Sequence, residues 1–287
     1  MKRMVYMMTA AMAIAFVACN NEDGISVYAP EEGEIQLMMV HPNCSRVTET
    51  FFEDTDSIGV YVTADNANLQ LAGNEVNNAL FTYNGISWTA KQKVYWNEGK
   101  HNVFAFYPYS QKVNDVVDYS FSVQTDQSSD WGYMHSDFLF ASALDVTASN
   151  EPIAMQFSHK MSNVIVKLEK GDNYEGDIPA DAEVYLLSIV PHAVIDLTTG
   201  DAAKDSYAAQ EAIRCHQVSN TEYRAIVVPQ NLTSRRPLVE INVDDVSYLM
   251  EGKITYRPGM RHTIIVTLDQ NPEQIKIEIG GDIDNWN

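Results

Sequence analysis

Apolar and polar residues alternate in short runs along most of this chain, the mark of half-buried strands. The clearest run lies near the end: Ile275, Ile277 and Ile279 fall on one face, Gln274, Lys276 and Glu278 on the other. Met155 to Leu168, near the middle, carries Phe157, His159, Val164, Val166 and Leu168 in period two, with a break at Lys160 to Asn163. This predicts two strand segments joined by a bend. Just before it stands Ser149-Asn150-Glu151-Pro152, whose Asn and Pro disfavour continued pairing. The segment is therefore expected to open a second domain.

Ahead of that point, Ile35, Leu37 and Met39 alternate with Gln36 and Met38, and Ile58, Val60 and Val62 share one face of a strand from Ser57 to Thr63. Between Phe81 and Trp88, Asn84-Gly85 supplies the two positive-φ residues of a type I′ hairpin. Val94 to Trp96 and Asn102 to Tyr107 flank Asn97-Glu98-Gly99-Lys100 as a further hairpin. Ser110 to Tyr133 is more polar and reads as an extended edge or a long loop, and Asp137 to Ala143 returns to a sheet. Beyond the middle, strands are expected at Glu183 to Val190, Ala193 to Leu197, Glu222 to Val228, Pro237 to Val243, Val246 to Glu251, His262 to Leu268 and Gln274 to Ile279. Asp201 to Arg214 is the one stretch with helical spacing. The whole reads as mainly β.

The length, 287 residues, suits two domains of about 100 to 150 residues each. Boundaries at 35–150 and 151–287 follow from the pattern. The net charge is −20. Without the basic Lys2 and Arg3, 39 acids face 17 bases, which gives −22. Such a surface repels phosphate backbones and anionic lipid, so no nucleic-acid partner is expected.

Residues 1–18 read as a signal peptide: Lys2 and Arg3 precede an apolar run from Met4 to Ala18 that is short for a membrane helix and ends in small residues. Phe16-Val17-Ala18-Cys19 resembles a bacterial lipobox, which places cleavage between Ala18 and Cys19 and lipid on Cys19. Residues 19–34 begin with the polar, acidic Asn20 to Gly24 and suit a tether in water. Cys44 and Cys215 then remain, either bridged or as two separate thiols.

No nucleophile elbow, phosphate-binding glycine loop, dinucleotide fingerprint, His-Glu-x-x-His or paired Cys-x-x-Cys is present, so no catalytic residue, metal ligand or cofactor is assigned and no enzyme is expected. Asp54-Thr55-Asp56 begins like a calcium loop, but Ile58 stands where an oxygen ligand is needed, and an acidic turn entering a strand fits better. His159, on an apolar strand, reads as a packed imidazole rather than a ligand.

The lipid cysteine, Phe51-Phe52-Glu53-Asp54-Thr55-Asp56-Ser57-Ile58-Gly59-Val60-Tyr61 after Arg46, Tyr83-Asn84-Gly85 with Trp88, Phe106-Tyr107-Pro108-Tyr109, Phe157-x-His159 and the closing Ile283-x-x-Trp286 together resemble the fimbrillin family of Bacteroidales, the lipoprotein pilins of type V pili. The resemblance implies two tandem transthyretin-like antiparallel β-sandwiches. It also implies lipid anchoring at the outer membrane through Cys19, an arginine-specific cut at Arg46, and pairing with other pilus subunits by strand donation in a surface-exposed, adhesive fimbrium. Adhesion implies a host or bacterial surface ligand.

Ile35, Leu37 and Met39 precede Arg46, so a cut there detaches the strand that carries them. Burial of each is worth roughly 1.5 to 3 kcal/mol, and their loss leaves a deficit on the order of 5 to 9 kcal/mol that an incoming strand offsets. The strand of Ile275, Ile277 and Ile279 suits either the donor role or the last place in its own sandwich, the second being preferred. It lies eight residues from the end, which points to a tip, anchor or minor subunit rather than a stalk subunit. The alternative is a surface carbohydrate-binding lipoprotein, with Trp88, Trp96 and Trp131 as exposed-type aromatics.

Overall fold

The computed structural model describes residues 30–40, 52–85, 87–243, 246–269, 276–279 and 284–286. Residues 32–287 cluster as one compact unit. In the first half the strands are β1 (Leu37–Val40), β2 (Ser57–Ala64), β3 (Val76–Tyr83), β4 (Trp88–Ala90), β5 (Lys100–Tyr107), β6 (Tyr119–Ser122) and β7 (Leu139–Thr147). Then follow β8 (Ile153–Gln156), β9 (Ser158–His159), β10 (Ser162–Lys170), β11 (Glu183–Ile189), β12 (His192–Asp196), β13 (Asp201–Lys204) and β14 (Glu211–Arg214). The last are β15 (His216–Ser219), β16 (Glu222–Val227), β17 (Gln230–Val243), β18 (Val246–Tyr256), β19 (Met260–Leu268), β20 (Lys276–Ile279) and β21 (Asp284–Asn285). Among the described residues a short helix, α1 (Asp130–Met134), is capped by Ser129, whose side chain accepts from Gly132 N.

The protein is mainly β. One sheet runs β4-β3-β2-β5-β7-β9, another β15-β16-β10-β19-β20 with β21 also on β19, and smaller ones run β14-β11-β17-β18 and β13-β12-β6. Among the described strands, β1 pairs with β8 alone. Among the described strands, pairing is antiparallel except for β1 with β8 and β10 with β19.

Apolar side chains gather in two clusters. The first holds Ile35, Leu37, Ile58, Val60, Val62, Phe81, Trp88, Val103 and Ala105, with Ile153 and Met155 from β8. The second is built on β10, β11, β16, β17 and β19, and takes in Tyr119 from β6 and Phe138. Strands on each side of residue 150 thus contribute to both clusters: β8 joins β1, and β6 joins β12 with His192 opposite Ser122.

Three local expectations change. Asp201 to Arg214 forms β13 and β14 instead of a helix, because Ala202 and Ile213 pack inward against the second cluster and the cross-strand partners override helical spacing. Tyr83 pairs with Trp88, so four residues make the turn where a type I′ hairpin needs two; Ser87 N donates to Asn84 Oδ1 at 2.7 Å and closes it. Val94 to Trp96 does not pair with β5 but bonds to residues 33–35, through the Glu34–Tyr95 bridge.

Candidate functional site: a groove filled by the first strand

Residues 33–40 enter from a turn in which Gly33 takes a φ of 76°, a conformation glycine adopts without steric cost. The segment then alternates as its sequence requires. Ile35 and Leu37 are 3% and 5% exposed, Met39 is half-buried against the first cluster, and Met38 points outward at 51% exposure. The floor beneath is aliphatic and aromatic, with Phe81 and Trp88 in the same cluster. Phe52 stands edge-on to Trp88 at 4.9 Å and to Phe157 at 5.5 Å.

Two walls hold the backbone. On one, Ile35 N donates to Val94 O at 2.9 Å and Trp96 N to Gly33 O at 3.0 Å. On the other, Leu37 faces Ile153 and Met39 faces Met155 in parallel register, and Ile153 N donates to Gln36 O at 2.9 Å. Side chains join these walls: Gly33 N donates to Asn150 Oδ1 at 2.8 Å, Gln36 Nε2 to Asn150 O at 3.1 Å, and Trp96 Nε1 to Ser149 O at 3.0 Å. Glu34, 3% exposed, meets Lys93 Nζ at 3.4 Å. The polar contacts were missed in the sequence because the pairing of residues 33–36 with 94–96 and 149–153 spans long chain separations. Glu34 falls with Gln36 on the polar side of the alternation, so the sequence carries no signal of its burial.

Of the residues singled out from sequence, Ile35, Leu37 and Met39 lie together in this groove. Ala18, Cys19, Arg46, Cys44 and Ile275 lie outside the described residues. Ile277 and Ile279 pack partly against the second cluster while β20 pairs with β19, which places them in a sheet of their own chain. Cys215 is a free, buried thiol, and burial pushes its pKa well up. His159 is packed: its Nδ1 lies 2.7 Å from Asp137 Oδ2 and its ring stacks on Trp286 at 3.9 Å.

Asp56 closes a turn, accepting from Glu53 N at 2.7 Å and from the Tyr107 hydroxyl at 3.2 Å; burial, then the Asp56 charge, pushes that hydroxyl's pKa up. Among the described residues no group of three or more His, Cys, Asp or Glu side chains is arranged to hold a metal. Two of the three tryptophans expected at the surface are not free aromatic faces. Trp88 is 6% exposed because β4 turns it into the core, and Trp96 is half-buried against the first cluster. Trp131 is 60% exposed.

Residues 45–286 match the family model described as Fimbrillin-like. Over 133 residues, 42% of the chain, the sequence is 32% identical to a curated Bacteroides ovatus protein named as a candidate fimbrium tip subunit. The chain spans about a quarter (24%) of the length of that relative. A solved candidate cell adhesion protein of Bacteroides ovatus, 22% identical, superposes with a TM-score of 0.71 over 91% of this chain and 99% of that one. A second, from Bacteroides uniformis, gives 0.70 at 17% identity over 89% and 98%. A fimbrial protein from Bacteroides vulgatus gives 0.56 at 16% identity over 90% and 100%. At these identities the likeness to the solved structures is one of fold.

Proposed function

The chain belongs to the fimbrillin-like family, and on that premise we propose that it is a structural subunit of a surface fimbrium, assembled by protease-gated strand exchange and supporting adhesion. In this proposal Cys19 carries the lipid after cleavage behind Ala18, the outer membrane holds the precursor, and a cut at Arg46 releases the strand of Ile35, Leu37 and Met39. Residues 35–150 and 151–287 are taken as tandem transthyretin-like sandwiches, with each apolar cluster drawing side chains from both stretches. A neighbouring subunit then donates a strand to the emptied groove.

The observation that carries the proposal is the burial of Ile35 and Leu37 in a strand bonded to two walls yet continuous in sequence with the segment that holds Arg46. Full burial of the two side chains is worth about 3 to 6 kcal/mol, with a smaller share from half-buried Met39. A vacated groove of that depth drives association without a nucleotide.

The test is Arg46→Ala. The variant is expected to stay a lipidated monomer. High-mass ladders on gels run without heating, at the wild-type level, contradict the gating step.

A further inference from the structure

The groove is not uniform along its length. Residues 37–40 are bonded to β8, while residues 33–36 are gripped from both sides. At this tight end each position of the occupant meets a different chemistry. Position 33 gives its N–H to Asn150 Oδ1 and takes Trp96 N–H on its carbonyl. Position 34 puts a carboxylate into a site that is 3% exposed, against Lys93. Position 35 fills the apolar floor, and position 36 aims a side-chain amide at Asn150 O while its carbonyl takes Ile153 N–H.

We propose that this end of the groove is a specificity site that admits an extended segment in one polarity, parallel to β8, with the order carboxylate, apolar, amide, apolar at positions 34 to 37. The partner it fits is a strand of that chemistry. Apolar alternation alone is a weak address in a β-rich protein, since a strand shifted by two residues presents the same face. The carboxylate and the amide break that degeneracy. For the resident strand, one shift by two brings Gln36 against Lys93 and removes the charge, and the other brings Glu32 there but sets Glu34, a group with no proton to donate, against Asn150 O. A strand of opposite polarity moves the amide away from Asn150. Both errors cost interactions at the end where the occupant is held on two sides.

The site serves the strand-exchange proposal when the occupant comes from another subunit, and to that extent the inference rests on it. The selectivity itself is measurable on the uncut chain, with the resident strand as the occupant, so the two stand or fall separately. Hydrogen exchange is followed by mass spectrometry on the full chain as wild type, Glu34→Ala, Gln36→Ala and Met38→Ala. Met38 points outward and serves as the control. Amides of residues 33–37 are expected to exchange at least threefold faster in Glu34→Ala and Gln36→Ala, with Met38→Ala within twofold of wild type and β10 unchanged in all. Equal effects of the three substitutions, or none, overturn the proposal. So does acceleration spread evenly over 33–37 and β10 in both polar variants, since that reports general destabilisation. A chain in which Arg46→Ala fails to block assembly while these rates behave as stated removes the gating step and leaves the specificity site standing.

Discussion

Leu37 and Met38 are neighbours in sequence with opposite fates: one is 5% exposed in the first cluster and the other 51% exposed. Leu37→Ala removes buried atoms beneath Ile153 and is expected to cost about 2 to 5 kcal/mol, whereas Met38→Ala is expected to stay within about 0.5 kcal/mol. Urea unfolding of the two variants checks this, and equal midpoints contradict it. Buried phenols set a second expectation. Burial, with smaller help from Tyr109 and Tyr119, raises the pKa of Tyr61 from 10.0 to about 12, and Tyr107, Tyr119 and Tyr223 move the same way, mainly through burial. A group whose proton is held more tightly in the folded state contributes stability that is complete below its unfolded pKa and is lost as pH rises through the folded one. Stability is therefore expected to be flat on this account up to about pH 10 and to fall between about 10 and 12. Thermal melts across that window read it out; an unchanged melting temperature at pH 11.5 contradicts it.

At the scale of elements, β1 and β10 are opposites. Strand β10 lies between β16 and β19, while β1 has β8 as its partner. Amides of β10 are expected to exchange by global unfolding and those of β1 by a smaller opening, with a weaker dependence on urea. Identical urea dependence for both contradicts a separable first strand.

The same contrast explains what was legible in sequence. Strands whose burial alternates were readable: β19 and β12 lie within two residues of their expected limits, and Ile35, Leu37 and Met39 were identified as one face. Elements fixed by distant partners were not. Asp201 to Arg214 has helical spacing, but the neighbouring β12 takes its first end as a strand and β11, further back, takes its second. Val94 to Trp96 was assigned to the nearest strand in sequence, and its true partners lie about 60 residues earlier, at 33–35. The side-chain half of the groove was illegible for the same reason, since Asn150 is a turn residue in sequence and becomes a groove wall only when β8 pairs with β1.

The whole molecule joins two apolar clusters to a surface of net charge −20. That charge opposes unspecific contact between copies, so association has to come from buried, directional surface. The groove supplies such surface once it is emptied, and it is closed while residues 33–40 occupy it. The central claim is that this segment holds a place later taken by another strand. Its most direct test is the mass of the subunit recovered from assembled fimbriae, by intact-mass and N-terminal peptide analysis. The account predicts subunits that begin after Arg46 and lack Ile35, Leu37 and Met39. Assembled subunits that retain residues 33–40 on the same chain contradict it.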